Sequence, residues 1–226
     1  MTPYYDEDGI TIYHADCDDI LPTIDPSDVD LLLTDPPYGT ISTERQRRQG
    51  TTTPGDLSNK WGPGSTVHPD VVGDDKPFDP SPLLMFGRCI IWGGNCFASR
   101  LPDWPGWIAW DKVTRNGFDN HRIAELEFAW TNFVTRPRLF RHMWAGAFRD
   151  SERGTKYHPT QKPVSLMRWV LDQWTEPGDL ILDPYMGSGP VAQACHEMGR
   201  RYIGIEIEER YCEISVQRLA QGVLAL

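Results

Sequence analysis

An apolar run, Val29-Asp30-Leu31-Leu32-Leu33-Thr34, opens directly onto Asp35-Pro36-Pro37-Tyr38. A carboxylate, two residues of fixed φ and an aromatic ring therefore stand where a buried strand gives way to a loop. Consecutive prolines hold φ at about −65° and delete two backbone donors, so the carbonyls of Asp35 and Pro36 are left to accept hydrogen bonds from outside the sheet. An ionised Asp35 offers acceptors only, and Tyr38 offers a flat face. The exocyclic amine of an extruded base, with two protons to donate and a ring to stack, suits such a group. Taken alone, the tetrapeptide also reads as a proline-rich turn that stops a strand.

A second constellation follows far along the chain. Leu180-Ile181-Leu182-Asp183 is a short apolar strand, Pro184-Tyr185-Met186-Gly187-Ser188-Gly189 a glycine turn, and a helix-like stretch runs to Met198 before Arg201 to Ile205 and the acid Glu206. Gly187 and Gly189 permit close backbone approach to a ligand, and an acid at the tip of the next strand can hydrogen-bond two ribose hydroxyls. Glu206 lies 23 residues after Asp183, close to the spacing of about 20 seen in nucleotide-binding βαβ units.

Together these stretches resemble the amino-methyltransferases of DNA that use S-adenosylmethionine. In those enzymes a D/S/N-P-P-Y/F/W motif holds the target amine and a D-P-F-x-G-S-G motif holds the cofactor. Here the catalytic motif comes first, then His158-Pro159-Thr160-Gln161-Lys162-Pro163, then the glycine motif. That permuted order is similar to the β group of the family, over residues 10–39, about 88–130 and 156–219. The resemblance implies an α/β, Rossmann-like fold with a mostly parallel mixed sheet, helices on both faces and a circularly permuted motif order. It assigns catalysis to Asp35, Pro36, Pro37 and Tyr38. Cofactor contacts fall to Asp183, Gly187 and Gly189 around the methionine part, to Glu206 at the ribose, and to Asp16 and Cys17 at the adenine, with Asp35, Pro184, Tyr185, Ser188 and Ile207 as further cofactor-binding candidates. Lys162 is a candidate for the cofactor carboxylate, and Gly94-Asn95 for the pocket wall. Asp16 also reads simply as the cap of a short helix, and Lys162 as a surface residue.

The chemistry so implied is an in-line methyl transfer from a sulfonium to an exocyclic nitrogen, with Asp35 and the Pro36 carbonyl holding the amine protons and no metal or covalent intermediate. Asp at the first motif position leans toward adenine N6 within the family, with cytosine N4 as the nearest alternative. An RNA base as substrate and a non-catalytic nucleic-acid-binding module stand as further readings. Two departures from the family pattern stand out: Pro190 replaces the usual Thr, and Tyr185 the commoner Phe. No long inserted block looks like a separate target-recognition domain.

Positioning these residues requires alternating strands and helices. Strand-like runs are Ile10 to His14, Val29 to Thr34, Arg88 to Gly93, Trp107 to Trp110, Ala124 to Trp130, Arg138 to Met143, Leu180 to Asp183 and Arg201 to Glu206. Helices are expected from an N1 proline at Pro163 to about Trp174, from Pro190 to about Met198, and from Glu208 to Leu219. No sustained period marks 39–79, which reads as a loop.

The 226 residues, 39% of them hydrophobic, suit one methyltransferase domain over 1–226, with inserted loops 39–79 and 112–156 as DNA-recognition elements. Five cysteines without C-x-x-C spacing read as reduced thiols, not as a zinc site. No apolar run is long enough to cross a membrane, and a cytoplasmic protein is expected. A homodimeric assembly is left open.

The formal charge of −10 hides a segregation. Residues 1–35 hold ten acids and no Lys or Arg, whereas 112–162 hold ten bases against five acids. Phosphate contacts need local positive potential, so Arg115, Arg136, Arg138 and Arg141, with Arg45, Arg47 and Arg48 after the catalytic loop, are the DNA-binding candidates.

Overall fold

The computed structural model describes residues 1–39, 72–114, 124–145, 148–152, 157–158 and 160–223. Its elements run in chain order as β1 (Tyr5–Glu7), β2 (Ile10–His14), α1 (Cys17–Ile20), β3 (Leu31–Thr34), β4 (Cys89–Trp92), β5 (Trp107–Asp111), β6 (Leu126–Thr131) and β7 (Arg138–Arg141). A small hairpin of β8 (Trp144–Ala145) and β9 (Phe148–Arg149) follows, then α2 (Val164–Trp174), β10 (Leu180–Asp183), α3 (Pro190–Met198), β11 (Arg201–Glu206) and α4 (Glu209–Val223).

Nine strands form one sheet in the order β1-β2-β11-β10-β3-β4-β6-β5-β7. From β2 to β4 all neighbours are parallel. β1 and β6 pair antiparallel to their neighbours, and β7 lies parallel to β5 at the far edge. The central strands are buried on both faces, as parallel strands are, which explains their unbroken apolar runs. Leu31 and Leu33 point to one side, where Val164, Met167, Val170 and Leu171 of α2 and Val191, Ala192 and Cys195 of α3 complete the core. Leu32, Ile91 and Leu182 point to the other, against Ile20, Leu21, Phe78, Leu83, Phe86 and Phe97. That second face is covered, among the described residues, by α1, single turns of 3-10 helix and loops. Each fully buried Leu or Ile contributes on the order of 1.5–3 kcal/mol.

The strand expectations hold with shifted ends. The run from Val29 pairs only from Leu31, and the run from Arg138 stops at Arg141, beyond which Met143 exchanges hydrogen bonds with Asp150. Pro163 is the N-cap of α2 with an extended ψ of 141°, not its first helical residue. The reason lies across the chain: the N–H of Val164 is taken by Glu152 Oε2 at 2.8 Å. The last helix begins one residue later than expected and runs to Val223.

Chain direction places the site. From β10 the chain crosses through α3 to β11 on one side, while β3 and β4 step away on the other, so a crevice opens where the carboxyl ends of β10 and β3 part. Asp183 ends one strand and Thr34-Asp35 the other, and Thr34 Oγ1 donates to Asp183 Oδ1 across the gap at 2.7 Å.

Candidate active site

A cavity of about 500 Å³ lies at this crevice. One wall is the glycine turn and the end of β11. Glu206 is held there by two backbone donors, Gly187 N to Oε2 and Glu208 N to Oε1, each at 2.8 Å. Each oxygen keeps acceptor capacity toward the cavity it lines. Burial raises the Glu206 pKa, against those backbone bonds. Asp16, Cys17 and Ile207 line the same cavity. Asp16 also caps α1 by accepting from Asp18 N at 3.0 Å, so the two readings of this residue coexist. Cys17 Sγ lies 3.4 Å from the Tyr185 hydroxyl, and burial pushes that thiol up.

The facing wall is the catalytic loop. Asp35, Pro36, Pro37 and Tyr38 all line the cavity. Asp35 Oδ1 accepts from the Tyr38 hydroxyl at 2.6 Å and Oδ2 from Lys162 Nζ at 2.6 Å. Burial raises the Asp35 pKa, Lys162 lowers it and the Glu127 carboxylate raises it again. The Tyr38 ring lies over Gly93, whose φ is +72° and whose missing Cβ would sit 1.9 Å from Cε1. Only glycine at the end of β4 permits that ring position.

A third side comes from Val72 to Asp79, within the segment that the sequence reading leaves as a loop. Phe78 packs edge-on against Tyr185 with centroids 5.6 Å apart, and Asp74 Oδ1 accepts from Gly39 N at 2.8 Å.

Behind these walls lies a smaller space of about 40 Å³ that shares Asp35, His158, Thr160, Tyr185 and Gly187 with the larger one and adds Lys162, Asp183 and Ser188. Asp183 is bonded to Thr34, to Tyr185 N and to the Tyr202 hydroxyl. Burial pushes it up to about 7 despite those donors.

A family model described as DNA methylase, covering N6 and N4 methyltransferases, matches residues 107–217. YubD of Escherichia coli (strain K12), a methylase by name, is 30% identical over 215 residues, covering 91% of this chain and 88% of that protein. This chain is a member of the N6/N4 DNA methyltransferase family. Among solved structures, the M1.HpyAVI complex with S-adenosylmethionine superposes with a TM-score of 0.52 at 25% identity, over 92% of this chain and 99% of the other. The cytosine-N4-specific PvuII DNA methyltransferase gives 0.59 at 14% identity, over 92% and 86%, a likeness of fold alone. Members of this family use S-adenosylmethionine, and DNA is their substrate.

Several residues expected to serve the N6/N4 chemistry sit elsewhere than the motifs suggest. Lys162 is neither a surface residue nor part of the large cavity's wall. With 3% of its side chain exposed it reaches Asp35, the Tyr38 hydroxyl at 3.2 Å and Glu127 Oε2 at 3.0 Å. Gly189 lines neither cavity. Its positive φ of +72° and missing Cβ serve packing, since a Cβ there would meet Ser215 Oγ of α4 at 2.0 Å. Ser188 is gripped from behind by Arg218, through its carbonyl at 2.8 Å. Gly94 packs on Trp130 and Trp107, Asn95 is exposed, and neither lines the cavities. The ligand-type atoms of Asp16, Cys17 and Asp18 lie within 4.8 Å of one another, a proximity that follows from the capping turn.

Glu127 is the residue that motif reading missed. It sits on β6 behind Lys162, with Lys112 Nζ on its other oxygen at 2.5 Å. Burial opposes its charge, but Lys162 and Lys112 outweigh burial and hold its pKa at about 2. Among the DNA-binding candidates, Arg136, Arg138 and Arg141 are exposed on and before the edge strand β7, Arg141 within 3.7 Å of Asp111. Arg45, Arg47, Arg48 and Arg115 lie outside the described residues. No helix among the described residues is long and apolar enough to cross a membrane.

Proposed function

We propose that this protein methylates the exocyclic N6 of adenine at a specific site in DNA, at the expense of S-adenosylmethionine. The observation that carries this reading is that the Asp35-Pro36-Pro37-Tyr38 loop and the Gly187-Glu206 edge face one cavity, although 149 or more positions separate them in the chain. The cavity chemistry suits the cofactor: Glu206 offers oriented acceptors to a ribose, and Asp16, Asp18, Asp74, Asp79 and Glu208 add negative charge around a space that would hold a sulfonium cation. When bound, S-adenosylmethionine supplies an electrophilic methyl group.

The protein's task is the nucleophile. An adenine amine has its lone pair delocalised into the ring. Oxygens of Asp35 and Pro36 that accept hydrogen bonds from its two N–H groups turn the nitrogen toward tetrahedral geometry and stabilise the positive charge it develops, and the proton that the methylated nitrogen must lose leaves by way of the Asp35 carboxylate. The base must leave the duplex to reach them, and the Tyr38 ring, fixed over Gly93, provides the platform for stacking. Glu206 and Ile207 serve the ribose, Asp16 and Cys17 the adenine of the cofactor, and Pro184, Tyr185 and Gly187 its methionine part. Asp183, through Thr34 and Tyr185, holds the two loops together. The exposed arginines near β7 would meet the DNA backbone.

Incubation with duplex DNA, labelled S-adenosylmethionine and the Asp35→Ala variant as control, followed by digestion to nucleosides and mass spectrometry, tests the assignment. N6-methyladenine is expected. N4-methylcytosine alone would move the target to cytosine, methylation of RNA in preference to DNA would replace the substrate class, and no transfer at all would leave only a binding module.

A further inference from the structure

The catalytic carboxylate is already engaged. Both Asp35 oxygens accept hydrogen bonds, one from Tyr38 and one from Lys162, and although each oxygen keeps a further lone pair, an incoming amine must compete for Oδ2 with an ammonium 2.6 Å away. Lys162 is the donor with somewhere to go. Its ammonium lies between two carboxylates, 2.6 Å from Asp35 Oδ2 and 3.0 Å from Glu127 Oε2. That Glu127 oxygen is buried and receives no aligned hydrogen bond, whereas its partner oxygen is bound to Lys112. A buried ammonium must stay neutralised wherever it moves, and the open Glu127 oxygen allows this.

We propose that Glu127 is a positioning residue for methyl transfer: it is the acceptor onto which Lys162 withdraws, freeing Asp35 Oδ2 for the target amine. The proposal rests on the methyltransferase reading above and gives the missing step of substrate entry. Lys112 keeps Glu127 anchored and ionised, so the receiving anion is in place before the base arrives. The ammonium already lies within ion-pair distance of both carboxylates, so the shift is short and no charge crosses to solvent. The groups facing Asp35 are Lys162 from the loop before α2, Glu127 from β6, Tyr38 from its own loop and Asp183 from β10, with Lys112 behind Glu127. Of these, the Glu127 charge raises the Asp35 pKa and Lys162 lowers it.

The test is Glu127→Gln in the full chain, assayed on duplex DNA. A neutral amide cannot receive the ammonium, so Lys162 stays on Asp35: kcat should fall on the order of 10- to 100-fold, while KM for S-adenosylmethionine changes by less than about twofold. Without the Glu127 charge Asp35 also ionises more readily, so the acid limb of the pH profile should move to lower pH. Unchanged kcat, or a loss of kcat with an unmoved acid limb, overturns the proposal, the second result being that of a residue that merely packs. If circular dichroism shows Glu127→Gln unfolded, Glu127→Asp decides, with a charge retained at shorter reach: reduced kcat with the acid limb in place supports the proposal, and wild-type kcat refutes it. A wild-type protein that methylates no nucleoside instead refutes the underlying functional reading.

Discussion

Asp35 and Glu206 stand on opposite walls of one cavity, and their substitution should separate the two halves of the reaction. Asp35→Ala removes an acceptor whose value lies in the transition state, so transfer should lose on the order of 2.7–4 kcal/mol, or roughly a hundred- to a thousand-fold. Calorimetric affinity for S-adenosylmethionine should stay near wild type, and activity within a few-fold of wild type would remove Asp35 from the mechanism. Glu206→Ala should do the reverse, weakening cofactor binding by about 1.5–3 kcal/mol because the ribose hydroxyls lose a charged acceptor. An unaltered dissociation constant in a folded variant would mean that the ribose lies elsewhere. Asp183 makes a third prediction, about stability. Its folded pKa of about 7 exceeds the ordinary 3.8, so the native state keeps a proton that the unfolded chain has released. The resulting stability is fully present below pH 3.8 and is lost as pH rises through 7. At about 1.36 kcal/mol per pH unit the loss is on the order of 4 kcal/mol. Glu127, held at about 2 against an ordinary 4.5, acts oppositely: its stability is present above pH 4.5 and lost as pH falls toward 2. Asp183→Asn, neutral at every pH, should therefore gain stability relative to wild type between pH 4 and pH 7. Denaturant midpoints whose difference stays constant over that range would show an ordinary carboxyl.

Elements that repeat a simple pattern were legible, and those set by distant partners were not. β2, β10, α3 and β11 match their apolar runs residue for residue, because caps, glycines and strand ends all agree locally. The β8–β9 hairpin and β1 were invisible, since strands of two or three residues carry no period. Glu127 was hidden by its own strand: alternation in Leu126-Glu127-Phe128 reads as an acid facing water, yet Leu126 is 41% exposed and Glu127 is turned in, onto two lysines. The glycine turn was legible as a motif but not in its division of labour. Gly187 presents its N–H to Glu206, whereas Gly189 makes room for Ser215. Hence Gly189→Ala should act through stability, lowering it by more than about 1 kcal/mol through both positive φ and the clash with α4. Thermal unfolding would show this. A variant of wild-type stability with weakened cofactor affinity would return Gly189 to the binding site.

Across the whole molecule, charge and chain order carry the remaining consequences. An acidic protein can still hold DNA if its bases are gathered, and Arg136, Arg138 and Arg141 stand exposed around one sheet edge. Each phosphate contact they make should contribute about −0.9 to the slope of log K against log salt. Replacing all three should weaken duplex binding and flatten that slope without altering cofactor affinity. A triple variant with the original slope would shift recognition to the segment 39–79. The permuted order has a consequence in time as well as in space. β2 hydrogen-bonds along its whole length to β11, and His14 meets the Ile207 carbonyl 193 positions away. A ribosome releases β2 long before its neighbour exists. The early strand can pair at once with β1, but its other edge must wait, open and apolar, until almost all of the described sheet has been made. Such distant pairing makes for slow folding, and the ten acids that crowd the first 35 residues, including Asp6, Glu7 and Asp8 just ahead of β2, would keep the waiting strand soluble and apart from its copies on neighbouring ribosomes.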